Sequence, residues 1–247
     1  GGGDATVFNS GDITIAAGLD QTYGFYYVVG IVAGTGAYHG GSATVYNSGD
    51  LSVILTNGDG DAVGIVANST GYKAVGDSIV VNSGDIYVVG QYQATGITTR
   101  SSNDSSIYNS GNVTVASEFA RARALYAVTD NIALISNSGD LSTVGGIGAI
   151  GAGAFGFYGA TTINTGDITV TSTRYETYYD SYYSRQVYLG GWAYGAFASS
   201  FFGEASLINT GDIDVNGINK GTGISANSRY GSTYIANSGD LNVVGEL

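Results

Sequence analysis

The sequence predicts an all-β chain, a parallel β-helix (β-solenoid). Three observations carry that reading: a turn motif repeated eight times, short strand patterns on both sides of it, and a third strand pattern later in each unit. The motif is Asn-Ser/Thr-Gly-Asp/Asn, beginning at Asn9, Asn47, Asn82, Asn109, Asn137, Asn164, Asn209 and Asn237. Successive copies lie 38, 35, 27, 28, 27, 45 and 28 residues apart. Four intervals of 27 or 28 define the unit, and the other three contain insertions, in the first, second and sixth copies.

The first strand precedes the turn, as in Ala5-Thr6-Val7-Phe8 and Ala205-Ser206-Leu207-Ile208. Two residues before each Asn stands Val, Ile, Leu or Thr, and four before it stands Ala, Ser or Thr. Strand period two puts these positions and the Asn itself on one face, which must be the inward one. The second strand follows the turn, as in Asp50-Leu51-Ser52-Val53, with aliphatic residues inward and small polar ones outward. The third has the form Ala-x-Gly-Ile-x-Ala, seen in Ala62 to Ala67 and Ala94 to Thr99, and more loosely in Val28 to Ala33.

Three strands per unit of ~27 residues, stacked at ~4.8 Å, give about eight coils and a rod of roughly 35–40 Å. No coil could bury its core alone, so residues 1–247 are read as one solenoid domain. In the turn, glycine is expected to supply a positive φ, and asparagine to stack on its copies so that side-chain amides bond from coil to coil. An aspartate repeated at nearly every corner reads as structural.

Composition agrees with this fold and removes several functions. The 247 residues include 41 Gly and 20 Tyr but no Pro, Cys or Met, and only 11% are charged. Gly, Thr, Ser, Asn, Val, Ile and Tyr form turns and strands rather than helices. A net charge of −12 repels phosphate backbones and anionic lipid, so nucleic acid and membrane insertion are not expected. The absence of cysteine removes disulfides and thiolate metal sites. The start, Gly1-Gly2-Gly3-Asp4, lacks the basic and apolar regions of a secretion signal.

The unit Asn47-Ser48-Gly49-Asp50-Leu51-Ser52-Val53, followed by Ala62-Val63-Gly64-Ile65-Val66-Ala67, resembles repeats of bacterial autotransporter passengers and related surface adhesins. That resemblance implies secretion, a right-handed β-helix, an extracellular or cell-surface location, and roles in adhesion, aggregation or surface coating. The family's C-terminal membrane barrel and signal peptide are not recognisable in this sequence.

Chemistry finds little support. Glycan cleavage on a β-helix needs carboxylates at ~5–9.5 Å, or a basic residue beside acids. The outward positions of the second strand (Thr14, Ser52, Tyr87, Thr114, Ser142, Thr169, Asp214 and Asn242) include one carboxylate. Those of the third (Val29, Val63, Thr95, Arg123, Ile150, Tyr194 and Thr222) include none. No catalytic residue is assigned. The competing reading is a polysaccharide lyase or glycosidase whose acids converge from loops, Glu176 and Asp180 for example. A flat Thr face for ice is not formed, because Tyr87, Asp214 and Asn242 interrupt it.

His39 is the one histidine, so neither a triad nor a zinc site assembles by the usual routes. Asn57-Gly58-Asp59-Gly60-Asp61 crowds oxygen ligands as calcium loops do, but Asp59 and Asp61 lack the spacing and terminal Glu of an EF-hand. Neither metal nor cofactor is assigned.

The least generic segment is the insertion of the sixth copy. It carries Tyr175, Tyr178, Tyr179, Tyr182, Tyr183 and Tyr188 and ends near Trp192. Tyrosine and tryptophan combine stacking area with a polar edge, which suits contact with protein or sugar. This loop is therefore the expected partner-binding element. Expected partners are a second copy, head to tail or lateral, and a surface protein or glycan. A structural and adhesive β-solenoid, possible as a filament subunit, is the leading expectation.

Overall fold

A computed structural model describes residues 3–18, 26–36, 40–56, 60–71, 76–180 and 185–245, without the side chains of 26, 175–180 and 185–189. The chain is a right-handed parallel β-helix of three sheets. Sheet A holds the eight strands before the turns, sheet B the eight after them, and sheet C seven third strands. Every pairing between coils is parallel and in register with the repeat: Asn9 lies over Asn47, Ile13 over Leu51 and Ala62 over Ala94. The fourth coil shows the plain unit, Ser105–Asn109, Val113–Ser117 and Arg121–Thr129.

The inward rows form one continuous core. Val45, Val80, Ile107, Ile135 and Leu207 of sheet A are fully buried against Leu51, Ile86, Ile168 and Ile213 of sheet B and Ile65, Ile97 and Leu125 of sheet C. Burial of each such side chain stabilises by about 1.5–3 kcal/mol.

The turns add two polar ladders. Asn47 Nδ2 donates to Asn82 Oδ1 at 2.7 Å and to the carbonyl of Gly49 at 2.8 Å. The same pair of bonds recurs at each step from Asn9 to Asn237. Each buried amide proton is thereby satisfied without water. Outside, Asp50 Oδ1 accepts the amide of Asp85 at 2.9 Å, and the Asp and Asn112 side chains repeat this from coil to coil.

The turn glycines correct one expectation. Among the described residues, positive φ occurs at Gly190 (84°) and Gly191 (70°), not in the turns. Turn glycine is demanded by stacking instead: a β-carbon on Gly84, Gly111 or Gly139 would overlap the carbonyl of the turn glycine one coil away. The requirement comes from close approach of two backbones.

Sheet C departs from simple alternation, and this positions the site. In Ala-x-Gly-Ile-x-Ala, Gly and Ile both face the core. Ile97 is buried, and a β-carbon on Gly96 would meet Val113 Cγ1 at 2.5 Å. Two consecutive inward residues bend the strand toward the core, so the outer face of sheet C is concave. The sixth-copy insertion is an antiparallel hairpin, Tyr175–Asp180 paired with Arg185–Gly190, that leaves at the end of sheet B and returns at sheet C. Gly190 and Gly191 make the return, where the amide of Gly191 donates to the carbonyl of Ile147 at 2.7 Å.

Candidate functional site

Along the concave face, the two x positions of each coil look toward each other across the bend. In the fourth coil the Arg123 guanidinium lies 4.8 Å from the centre of the Tyr126 ring, and in the sixth Tyr194 and Phe197 meet edge to face at 6.0 Å. Outward residues here are covered: Val63, Thr95 and Ile150 are only 6%, 7% and 6% exposed. The result is a groove along the rod axis in two connected parts that share Arg123 and Tyr126.

One part, of about 660 Å³, is lined by Arg121, Arg123, Tyr126, Trp192, Tyr194 and Lys220 among others. Its size falls in the range of ligand sites, roughly 300–1,000 Å³. Glycines make room for its aromatic floor, because the Trp192 indole lies where a β-carbon of Gly148 would sit and Phe197 where one of Gly153 would sit. Phe155 packs edge to face on Phe197 at 4.8 Å and on Tyr126 at 5.7 Å. Cations sit on this floor. Arg121 is 5.7 Å from the Trp192 ring, and Lys220 Nζ is 5.4 Å from the Tyr194 ring while donating to its hydroxyl at 3.2 Å.

The other part is more polar, with Tyr27, Asp61, Gln93, Thr95, Thr98 and Arg100. Gln93 Nε2 donates to Asp61 Oδ2 at 3.4 Å. Burial raises the Asp61 carboxyl above the usual range, against a backbone hydrogen bond from Gln93 and the charge of Arg123. Burial and the Asp61 charge raise the Tyr27 phenol, and burial lowers Arg123. Asp61 Oδ1 and Arg123 Nε are buried without a hydrogen-bond partner among the described residues.

Four of the eight basic residues, Arg100, Arg121, Arg123 and Lys220, line this groove, against one carboxylate among its lining residues. Such a surface can stack flat apolar faces and bind anionic or hydroxylated groups. Among the described residues, no cluster of three or more His, Cys, Asp or Glu could hold a metal ion.

Trp192 opens the sheet C strand Trp192–Ser200 on the groove floor. The backbone of Tyr175, Tyr178, Tyr179 and Tyr188 belongs to the hairpin, which ends at the groove through Gly190. Tyr182 and Tyr183, like His39, Asn57 and Asp59, lie outside the described residues. The side chains of Glu176 and Asp180 do too.

Reading the sequence alone missed Tyr126, Phe155, Phe197 and Lys220, and with them the groove. The signal was present: large residues at the second x position of the third strand, with Gly153 between Tyr126 and Phe197 in register. A second aromatic group was missed as well. Phe157 stacks on Phe201 at 5.1 Å, Phe202 on Tyr230 at 5.4 Å, and Arg229 caps Phe201 at 5.1 Å where sheet C hands over to sheet A.

No helix among the described residues is long and apolar enough to cross a membrane. No curated protein and no solved structure matches the chain. Residues 73–246 match the family described as the BigA third pectate lyase-like domain. The match supports a β-helix surface protein and does not single out the autotransporter passengers resembled above. It spans coils three to eight, including the whole aromatic and cationic part of the groove, and the chain belongs to it.

Proposed function

We propose that the chain is a non-enzymatic structural and adhesive β-solenoid, working outside the cell or at its surface, with the sheet C groove and the adjoining hairpin as its contact surface. The carrying observation is the groove itself, a fixed row of aromatic and cationic side chains along a stiff rod. Its strands from Gly60–Ser69 to Trp192–Ser200 are interior to a seven-stranded sheet, so contact geometry there is set before any partner arrives. Partners in this reading are a surface protein or glycan and a second copy, not nucleic acid. Self-association, head to tail or lateral, belongs to the same reading.

The competing reading, a carbohydrate-active enzyme, draws on the pectate lyase-like description and on Arg123, a possible base. Binding is favoured because Asp61 is the one carboxylate among the groove's described lining residues, which offer no acid pair.

Beads coated with the chain test this. They should adhere to cells or to each other, and replacing Tyr175 to Tyr188 by a short Gly-Ser linker should keep the melting temperature within a few degrees while reducing adhesion. Release of reducing ends or unsaturated sugars from a polysaccharide panel would overturn the non-enzymatic reading. Beads that never adhere would overturn the adhesive one.

A further inference from the structure

We infer that the groove takes an anionic saccharide chain, its sugar rings on the Trp192, Tyr194 and Tyr126 side chains and its carboxylate or sulfate groups on Arg121, Arg123 and Lys220. This rests on the adhesive reading and names the ligand of its contact surface.

Charge distribution is the first ground. A chain of net charge −12 repels anions as a whole, yet gathers half of its basic residues in one groove, beside one carboxylate among the described lining residues. Within the chain these cations have aromatic rings as neighbours. Arg121 lies over Trp192, Arg123 over Tyr126 and Lys220 over Tyr194. Their charge remains available to a ligand while the rings fix their positions.

The second ground is the unpaired polar atoms. Arg123 Nε and Asp61 Oδ1 are buried and lack hydrogen-bond partners among the described residues. Buried polar groups left unsatisfied are uncommon and costly, and a ligand supplying one acceptor and one donor would satisfy both. Their strands lie two coils apart in the stack, about 10 Å along the axis, and both side chains line the same part of the groove, where an extended ligand can pass both. A sugar chain carries both anionic acceptors and hydroxyl donors along its length.

The third ground separates a saccharide from an acidic peptide. Extended peptides are usually held through backbone hydrogen bonds to a sheet edge. Every groove-floor strand from Gly60–Ser69 to Trp192–Ser200 already has a parallel partner on both sides. In sheet C free edges remain at the end strands, Tyr26–Thr35 and Lys220–Ser228, where an added strand would run across the rod axis. Along the axis the groove is read by side chains, and it offers ring faces, hydroxyls and guanidinium groups. Flat rings with polar rims match that set.

Titration calorimetry on the 247-residue chain tests the inference, with oligomers of galacturonate and of heparin as carboxylated and sulfated probes, a neutral glucan oligomer, and polyglutamate. At least one anionic oligomer should bind, and the stronger of the two identifies the anionic group. Raising salt from 0.05 to 0.5 M should weaken that binding. Arg123→Gln and Lys220→Gln should each weaken it by roughly tenfold or more, and Trp192→Ala should weaken it too. Arg229→Gln, outside the groove, should change it less than twofold, and all variants are compared at matched melting temperature.

Equal binding of the neutral glucan would overturn the anionic assignment. Polyglutamate binding as tightly as the sugars would overturn the saccharide in favour of an acidic protein segment. Absence of binding by every probe would overturn the inference. Beads that still adhere in that case leave the adhesive reading standing, so the two failures are distinguishable.

Discussion

The outer faces of sheets B and C are built from the same repeat and differ in what they present. Sheet B follows period two without interruption, and its outward row, Thr14, Thr114, Thr169 and Asp214 among others, stands in solvent. Sheet C breaks the period at Gly-Ile, and Val63, Thr95 and Ile150, outward by position, are nearly as hidden as core residues. One extra inward residue per coil, repeated in register, turns a flat face into a groove. A groove here needs no departure from the solenoid, only a departure from alternation that the strands of sheet C share.

The largest expected effect separates inside from outside. Ile168→Asp or Val45→Asp places an unpaired carboxylate at a fully buried position and should destabilise by about 3–5 kcal/mol. Thr14→Asp, on the exposed row of sheet B, should stay within about 0.5 kcal/mol. Thr95→Asp sharpens the comparison, because Thr95 is outward by position but 7% exposed, and should cost about 1–3 kcal/mol. Denaturant unfolding ranks the three. If Thr95→Asp were as silent as Thr14→Asp, the faces would be equivalent and the groove would not be covered as described.

A smaller effect tests why the turns carry glycine. A β-carbon at Gly139 would collide with the carbonyl of Gly111, whereas one at Gly11 in the first coil meets nothing within 4 Å. Both glycines occupy the same turn position, so a φ requirement would penalise both equally. Gly139→Ala should lose about 1–3 kcal/mol by overpacking, and Gly11→Ala should leave the unfolding midpoint almost unchanged. Equal losses would restore a conformational explanation.

Those glycines also mark what could be read in one dimension. The register of Asn9 on Asn47 and of Ala62 on Ala94 follows from aligning the sequence with itself, since each coil repeats the last. The reason for the turn glycine could not follow, because its constraint is an atom of the neighbouring coil rather than of its own turn. Trp192 stands out in the sequence for its chemistry, but the hairpin that separates the two coils in sequence hides its place over Gly148. The row of Tyr126 and Phe197 escaped because strict alternation from the first Ala of the strand turns the second x position inward. The inward Gly-Ile pair shifts that phase by one residue.

The smallest expected effect lies at the polar end of the groove, where Asp61 faces Tyr27, Gln93 and Arg123. Burial raises the folded-state pKa of Asp61 and outweighs the opposing Gln93 bond and Arg123 charge. Below the unfolded value, about 3.9, the carboxyl is protonated in both states and burial carries no charge penalty. As pH rises, the unfolded chain ionises first and gains relative to the folded one. Stability therefore falls until pH passes the raised folded value, and the deficit stays constant above it. Asp61→Asn removes the ionisation and should raise the melting temperature at pH 7 but not at pH 3. Arg123, whose own charge is disfavoured by burial, loses only a minor favourable partner in the variant. A variant less stable than the parent at pH 7 and equal at pH 3 would show that Arg123 attraction, not burial, governs Asp61. The two unpaired atoms would then belong to an internal ion pair instead of awaiting a ligand.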